Sequence, residues 1–361
     1  MASADCTPPQ TQVDFAVRCP QFQLLGFRKL QQVDSFGKSQ SGTQKALEAA
    51  QMETQKIDVE LLRAMPLPVW EDESSKADRG KLLIVGGSKR IAGAAILSAR
   101  AALRSGCGTV RVASPESVAL AIGIAVPELL VVPLAETSTG TLAQSAVEDV
   151  AQACRACQAM VIGPGLGADA ETDAATREIV EAAPLPTVVD AQVLTSLGEG
   201  FSFAGLKHAR VLTPHAAEFG ALSGISLEGA DDDKRAQIAA DYARANRVTL
   251  VLKGRVTFIA SPDGEVYRNE AGSRALGTAG SGDVLAGIIG ALLAQGLEPV
   301  RAAVWGVHMH ALAGEAVSKD IGDDGVLASD FVSQLPFVQR FLRRSTDALA
   351  PGVRKGFGLR N

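Results

Sequence analysis

From Lys81 onward the chain alternates between two textures. Apolar runs of strand length occupy 81–85, 109–113, 129–133, 160–163, 187–190, 210–213 and 249–253. Stretches with helical spacing of apolar positions lie between most of them, among them 92–105, 145–157 and 232–245. Short, fully apolar strands joined by amphipathic helices predict a mostly parallel sheet covered on both faces. Residues 256–260 and 265–268 flank Ser261-Pro262-Asp263-Gly264 and predict an antiparallel hairpin. The last part reads as three helices, 282–295, 299–318 and 328–343. No repeat or second core-forming unit shows. The expected organisation is a low-order, weakly helical appendage over 1–57, one α/β domain over 58–345, and a loose basic tail over 346–361. The appendage holds 10 of the 18 Gln and lacks a periodic apolar face, so its removal is expected to cost little stability.

Composition narrows the function. Of 361 residues, 47% are apolar and 21% charged, enough for a large core. A net charge of −5 argues against a protein that coats nucleic acid. No apolar run reaches the roughly 18 residues that span a bilayer. The first residues lack a secretory pattern, and Asp5, Asp14 and Asp34 do not suit a transit peptide. An odd set of five cysteines fits a reducing, cytoplasmic setting. Cys154 and Cys157 have CxxC spacing, but with no second pair they read as small helix residues.

The chemistry concentrates at GTAGSGDVLAG (277–287). A glycine-rich turn opens an apolar helix, so free backbone N–H groups and the positive helix end form an anion site at Gly280, Ser281 and Gly282. Asp283 falls in the first turn of that helix. An acid there also suits a helix start for dipole reasons alone. Beside an anion hole, however, it is placed to act as a base in phosphoryl transfer. Gly163–Gly167 (GPGLG) and Thr213-Pro214-His215 each follow a strand, where ligands meet an open α/β sheet. A lone His at such a place is ordinarily structural. Lys253-Gly254 ends a strand and offers a positive charge with close backbone approach. His308 and His310 lie in a helical pattern on different sides and read as packing or surface residues.

These segments together resemble the ADP- or ATP-dependent NAD(P)H-hydrate dehydratases, a branch of the ribokinase superfamily. The resemblance rests on GSGD with VLAG, KLLIVGGS (81–88), GAAILSARAALRSGCGTVRVA (93–113), VIGPGLG (161–167), VVDAQVL (188–194), LTPHAAEF (212–219) and VLKGRVTFI (251–259), in the expected order. It implies a ribokinase-like three-layer α/β sandwich with a mostly parallel central sheet. It implies a repair lyase that dehydrates the S-epimer of hydrated NADH or NADPH at the expense of ADP, with ATP the less favoured nucleotide, and with Mg²⁺ on the phosphates. By resemblance Asp283 is catalytic. Ala94, Gly165, His215 and Asp283 contact the hydrated cofactor, and Lys253, Gly254, Arg255, Val256, Thr257 and Gly282 hold the adenine nucleotide. No dedicated metal-ligand cluster is visible. The family also implies a homotetramer and a separate NAD(P)H-hydrate epimerase in the same pathway, since 57 residues are too few for the epimerase domain fused in many relatives. Gln192 stands where the family commonly has a second acid, and Ala216 and Ala217 where it has Gly or Pro; Asp190 is kept. Two other readings stay open: a small-molecule kinase of the hydroxyethylthiazole kinase type, which shares the GSGD turn, and a non-catalytic nucleotide-binding regulator, against which the retained acid argues.

Overall fold

A computed structural model describes residues 53–347. Of the appendage expected over 1–57, residues 1–52 lie outside the described residues, as does the expected tail from 348 on. Ten strands form one sheet: β1 (Thr54–Lys56), β2 (Lys81–Val85), β3 (Thr109–Pro115), β4 (Leu130–Leu134), β5 (Ala159–Ile162), β6 (Thr187–Val189), β7 (Arg210–Leu212), β8 (Thr249–Leu252), β9 (Thr257–Ala260) and β10 (Val266–Asn269). Their order is β1-β10-β9-β8-β7-β6-β5-β2-β3-β4. Only β9 runs antiparallel to its neighbours; all other pairs are parallel. The hairpin, the parallel strands and the α/β class read from the sequence are therefore present, with ends shifted by a residue or two.

The period of two sorts the strands' apolar residues onto two faces. Leu82, Ile84, Val110, Val112 and Val161 point into one core, while Leu83, Val85, Met160 and Ile162 point into the other. The first face is covered by α1 (Val59–Ala64), α2 (Ala92–Arg104), α3 (Glu116–Ala125), α9 (Ser281–Ala294), α10 (Pro299–Ile321) and α11 (Ala328–Asp347). The second carries α4 (Val147–Cys154), α5 (Ala170–Ala182), α6 (Gln192–Leu197), α7 (Ala216–Ser223) and α8 (Asp232–Asn246). Helix α9 is buried along almost its whole length between the sheet, α2 and α10, which is why its sequence is apolar all round. Cys154 and Cys157 are buried free thiols, but only Cys154 is a helix residue: α4 ends there, and Cys157 lies in the loop before β5.

One boundary moves. Thr54–Lys56, within the stretch expected to be an appendage, pairs in parallel with β10 and extends the sheet. Ile57 N–H donates to the Arg268 carbonyl, the Ile57 side chain is buried, and Asp58 caps α1 through Leu61 N–H. Three residues are too short to show a period, so the strand had no sequence signal. Burying one Ile is worth roughly 1.5–3 kcal/mol, and one kcal/mol shifts the melting temperature of a large domain by about 2–4 °C. A chain starting at residue 58 is thus expected to melt about 3–12 °C below one starting at residue 53, measured by circular dichroism or calorimetry. Equal melting temperatures would mean that β1 contributes nothing.

Candidate active site

The crossover from β2 to β3 runs through α2 on one face of the sheet, and that from β5 to β6 through α5 on the other. The loops after β2 and β5 therefore diverge and open a crevice at the strands' C-terminal ends, where ligands bind in sheets of this kind. Gly87 N–H donates to the Pro164 carbonyl and ties the two loops together. Gly165 packs on Ile91 and Ala94 at the start of α2, so two residues expected to meet the hydrated cofactor adjoin. Ala94 itself is mostly buried, 7% exposed, so only a small part of it faces the crevice.

Next along the edge comes Asp190, directly after β6 and 2% exposed. Gly163 has φ +132°, and a β-carbon there would run into the Asp190 carbonyl, so glycine is what lets the two loops close up. Ala191 takes φ 53°, an unusual conformation for a residue with a side chain, immediately behind the acid. Asp190 Oδ1 accepts from Thr213 Oγ1 at 2.6 Å and from Lys253 Nζ at 3.2 Å. Lys253 Nζ also lies 3.6 Å from Glu218 Oε2. Burial alone would depress the Lys253 ammonium, but Asp190 and Glu218 outweigh it and hold its pKa above the ordinary value.

Glu218 closes a capping box on α7: its Oε2 accepts from His215 N–H at 2.7 Å, while His215 Nδ1 accepts from Ala217 N–H at 3.1 Å and Glu218 N–H at 3.3 Å. With Nδ1 accepting, a neutral ring carries its proton on Nε2. The spacing of His215 and Glu218 that stood out in the sequence thus has a structural cause; Nε2 lies 3.5 Å from Glu218 Oε1, and the His215 side chain is 55% exposed.

Asp283 sits in the first turn of α9, after Gly280 at φ +88°. Burial raises its carboxyl to about 7; Asp190 and, more weakly, Glu218 add to the rise, and Lys253 opposes it. Gly282 lies against the Lys253 ammonium. The anion-hole turn, Asp283, Lys253, Asp190 and Glu218 thus form one charged cluster. Around the Lys253 corner, Gly254 abuts the Arg235 guanidinium, which donates to the Lys253 carbonyl at 3.3 Å. Thr257 Oγ1 is 3.4 Å from the Gly254 carbonyl, and Val256 is buried. The Arg255 side chain is 87% exposed, 3.8 Å from Asp232 Oδ2, and makes no contact with the cluster.

The structure adds residues that the sequence reading left out of the site. Thr213 and Glu218 lie inside a motif already singled out. Asp190 had been noted only as retained. Arg235 carries no sequence signal, being one charge among many on α8. Neither His308 nor His310 is a surface residue: both are 8% exposed, His308 Nδ1 lies 2.9 Å from Asn269 Oδ1, and His310 Nε2 lies 3.1 Å from Ser281 Oγ. Their signal was a pair of His in an otherwise apolar stretch of α10, residues 302–313.

Comparison with known proteins fits this arrangement. The family model described as NAD(P)H-hydrate dehydratase matches residues 82–336. The chain belongs to this family. An ADP-dependent (S)-NAD(P)H-hydrate dehydratase of Xanthomonas campestris is 40% identical over 281 residues, 76% of this chain and 92% of that protein. A bifunctional NAD(P)H-hydrate repair enzyme of Moorella thermoacetica is 37% identical over 78% of this chain but only 53% of its own length, so the chain spans about half of such bifunctional relatives. The crystal structure of the ADP/ATP-dependent NAD(P)H-hydrate dehydratase of Bacillus subtilis, co-crystallised with ATP/Mg²⁺, superposes with a TM-score of 0.69 at 28% identity, covering 81% of this chain and 99% of that one. Dehydratases of this family and this chain share the three-layer, ribokinase-like sandwich.

Proposed function

We propose that the chain dehydrates the S-epimer of hydrated NADH or NADPH at the expense of ADP or ATP. The observation that carries the reading is a carboxyl held near neutrality, Asp283, on the anion-binding turn of a buried helix at the sheet's ligand-binding edge. Its support from relatives is the identity with proteins named for this reaction.

The hydroxyl on the reduced ring is a poor leaving group as hydroxide. Asp283, ionised, takes its proton while the oxygen attacks the terminal phosphorus of the nucleotide. The N–H groups of the Gly280–Gly282 turn hold the charge that develops. The ring nitrogen's lone pair then expels phosphate, and loss of a proton from the neighbouring carbon restores the ring double bond. Lys253, already between Asp190 and Glu218, keeps the two acids from repelling the phosphates. The hydrated cofactor lies on the Gly165 and His215 side, and the adenine nucleotide on the Lys253–Thr257 side, with Arg255 in reach only from solvent.

Among the described residues no three His, Cys, Asp or Glu side chains converge on a metal site. Mg²⁺ in phosphoryl transfer ordinarily takes one or two carboxylates, with phosphates and water completing its shell. Asp190 engages Thr213 and Lys253 through Oδ1 alone, so Asp190 suits that arrangement, whereas Glu218 is taken up by His215 and Lys253. The ion would screen phosphate charge there.

Assembly as a homotetramer is part of the proposal, supported by apolar side chains exposed on α3 and β4 (Leu120, Ile124, Leu130) and on α11 (Phe337, Phe341). A cytoplasmic location and a partner epimerase acting on the opposite epimer complete it; no helix among the described residues is long and apolar enough to cross a membrane. The test is incubation with hydrated NADH and ADP or ATP. Recovery of NADH absorbance with one phosphate released per NADH is expected. A stable phosphorylated product without NADH would instead make the chain a kinase.

A further inference from the structure

The segment between β10 and α9 delivers the anion-binding turn, and α10 grips it along its length. Asn269 meets His308, Gly272 N–H donates to Glu315 Oε1 at 2.9 Å, and Ser273 Oγ donates to the Gly314 carbonyl at 3.1 Å. Thr278 Oγ1 donates to the Val326 carbonyl at 2.9 Å, just beyond α10. These ties fix the approach to the turn. The side-chain tie that reaches the turn itself is His310 Nε2 to Ser281 Oγ.

A buried histidine is expensive to place in an apolar helix unless its ring nitrogens have work there. The His310 ring stands edge-on to Phe331, with centroids 5.9 Å apart, so it cannot swing away from Ser281 without disturbing α11. Burial, with Lys253 nearby, drives its pKa down to about 4, so the ring is neutral and adds no charge to the phosphate site. What remains is direction. The Ser281 hydroxyl has its side-chain partner in His310, a contact that bears on the set of the Gly280–Gly282 N–H groups and of the nearby Asp283 carboxyl.

We infer that His310 is a positioning residue for the reaction proposed above, acting through the Ser281 hydroxyl to hold the anion-binding turn and Asp283 in register with the transferring phosphoryl group. The inference rests on the reading of that turn as the phosphate site. It assigns no contact with substrate to His310 itself.

The experiment compares His310→Leu, His310→Gln, Ser281→Ala and the His310→Leu/Ser281→Ala double variant of the full chain. The readouts are kcat, both KM values, melting temperature and calorimetric titration with ATP. Small misplacement of a transition-state donor costs about 10- to 100-fold in rate. His310→Leu is expected to lose that much kcat and about 10-fold in ATP affinity, with KM for the hydrated cofactor within about threefold of wild type. His310→Gln keeps a donor and acceptor near Nε2 and is expected to recover most of both. The double variant is expected to be no worse than the poorer single one, because both remove one interaction. Wild-type kcat in His310→Leu, failure of Gln to rescue, or losses that multiply in the double variant would overturn the inference. If His310→Leu does not fold, Ser281→Ala with His310→Gln decides: near-normal Gln and impaired Ala support it, and normal Ala refutes it. If the wild type fails to dehydrate the hydrate, the proposed function falls. ATP titration of the same variants still decides whether His310 holds the turn.

Discussion

Replacing Asp283 by Asn is expected to lower turnover at least about 10²-fold, the usual scale for a lost general base, while the protein melts no lower than wild type. The first half follows from the proposed mechanism: Asp283 is the carboxyl in the first turn of α9, where the phosphate is proposed to bind, and Asn keeps its shape without its basicity. The second follows from its pKa. The carboxyl keeps its proton up to about pH 7 in the folded chain, against 3.8 ordinarily. Between those values the folded state binds the extra proton, so stability falls as pH rises through this window. The contribution is fully present below about pH 4 and lost above about pH 7. With 1.36 kcal/mol per pKa unit, ionising this buried acid costs about 4 kcal/mol. The Asp283→Asn variant escapes that cost, so it is expected to gain on wild type at pH 8 and to match it near pH 4. Activity runs the other way in the wild type: the basic form accumulates as pH rises, so kcat should climb to a plateau above about pH 7. Steady-state rates and melting curves from pH 5 to 9 test both. Undiminished turnover in a folded Asn variant would end the role assigned to Asp283.

The parts of this molecule that were legible in its sequence are those governed by period and by local backbone chemistry. Strands such as 81–85 and 160–163 are apolar at nearly every position because both faces are covered, as at Leu82 and Leu83, which enter opposite cores. The turn at 277–283 was readable because glycine before an apolar helix has few other uses. Hidden from the sequence were the relations that tertiary folding alone creates. Nothing local joins Lys253 to Asp190, 63 positions away, or His310 to Ser281, 29 positions away. Asp190 was recognisable as a residue but not as a partner. β1 was invisible because its pairing with β10 is set by the sheet edge and not by its own composition. The resemblance supplied the order of the motifs; the contacts between them came from the structure.

Lys253 shows what those relations change. Read from the sequence, it serves the nucleotide side, and its loss should weaken the nucleotide more than the hydrated cofactor. The structure links it to Glu218, which closes the capping box with His215, and to Asp190, so it stands between the two sides proposed for the cleft. Lys253→Met is therefore expected to have three effects together. Removing one partner of a buried ion pair costs roughly 3–5 kcal/mol because it strands the other charge; the melting temperature should fall by about 10 °C at neutral pH. Lys253 is the cation that opposes the rise at Asp283, so the midpoint of the activity profile should move from about 7 toward higher pH. A charge-assisted phosphate contact is worth about 1.5–3 kcal/mol, so the nucleotide dissociation constant should rise about 10- to 100-fold. Binding of the hydrated cofactor should weaken too, by a smaller factor, through Glu218. His215→Ala should weaken only the hydrated cofactor and leave the pH midpoint in place. Lys253→Arg, which keeps the charge, should retain the midpoint even where its bulk impairs binding. Calorimetry with each ligand and pH–rate profiles of the three variants separate these outcomes. An unchanged midpoint in Lys253→Met, with stability intact, would show that the ammonium does not balance Asp190, Glu218 and Asp283 as a group.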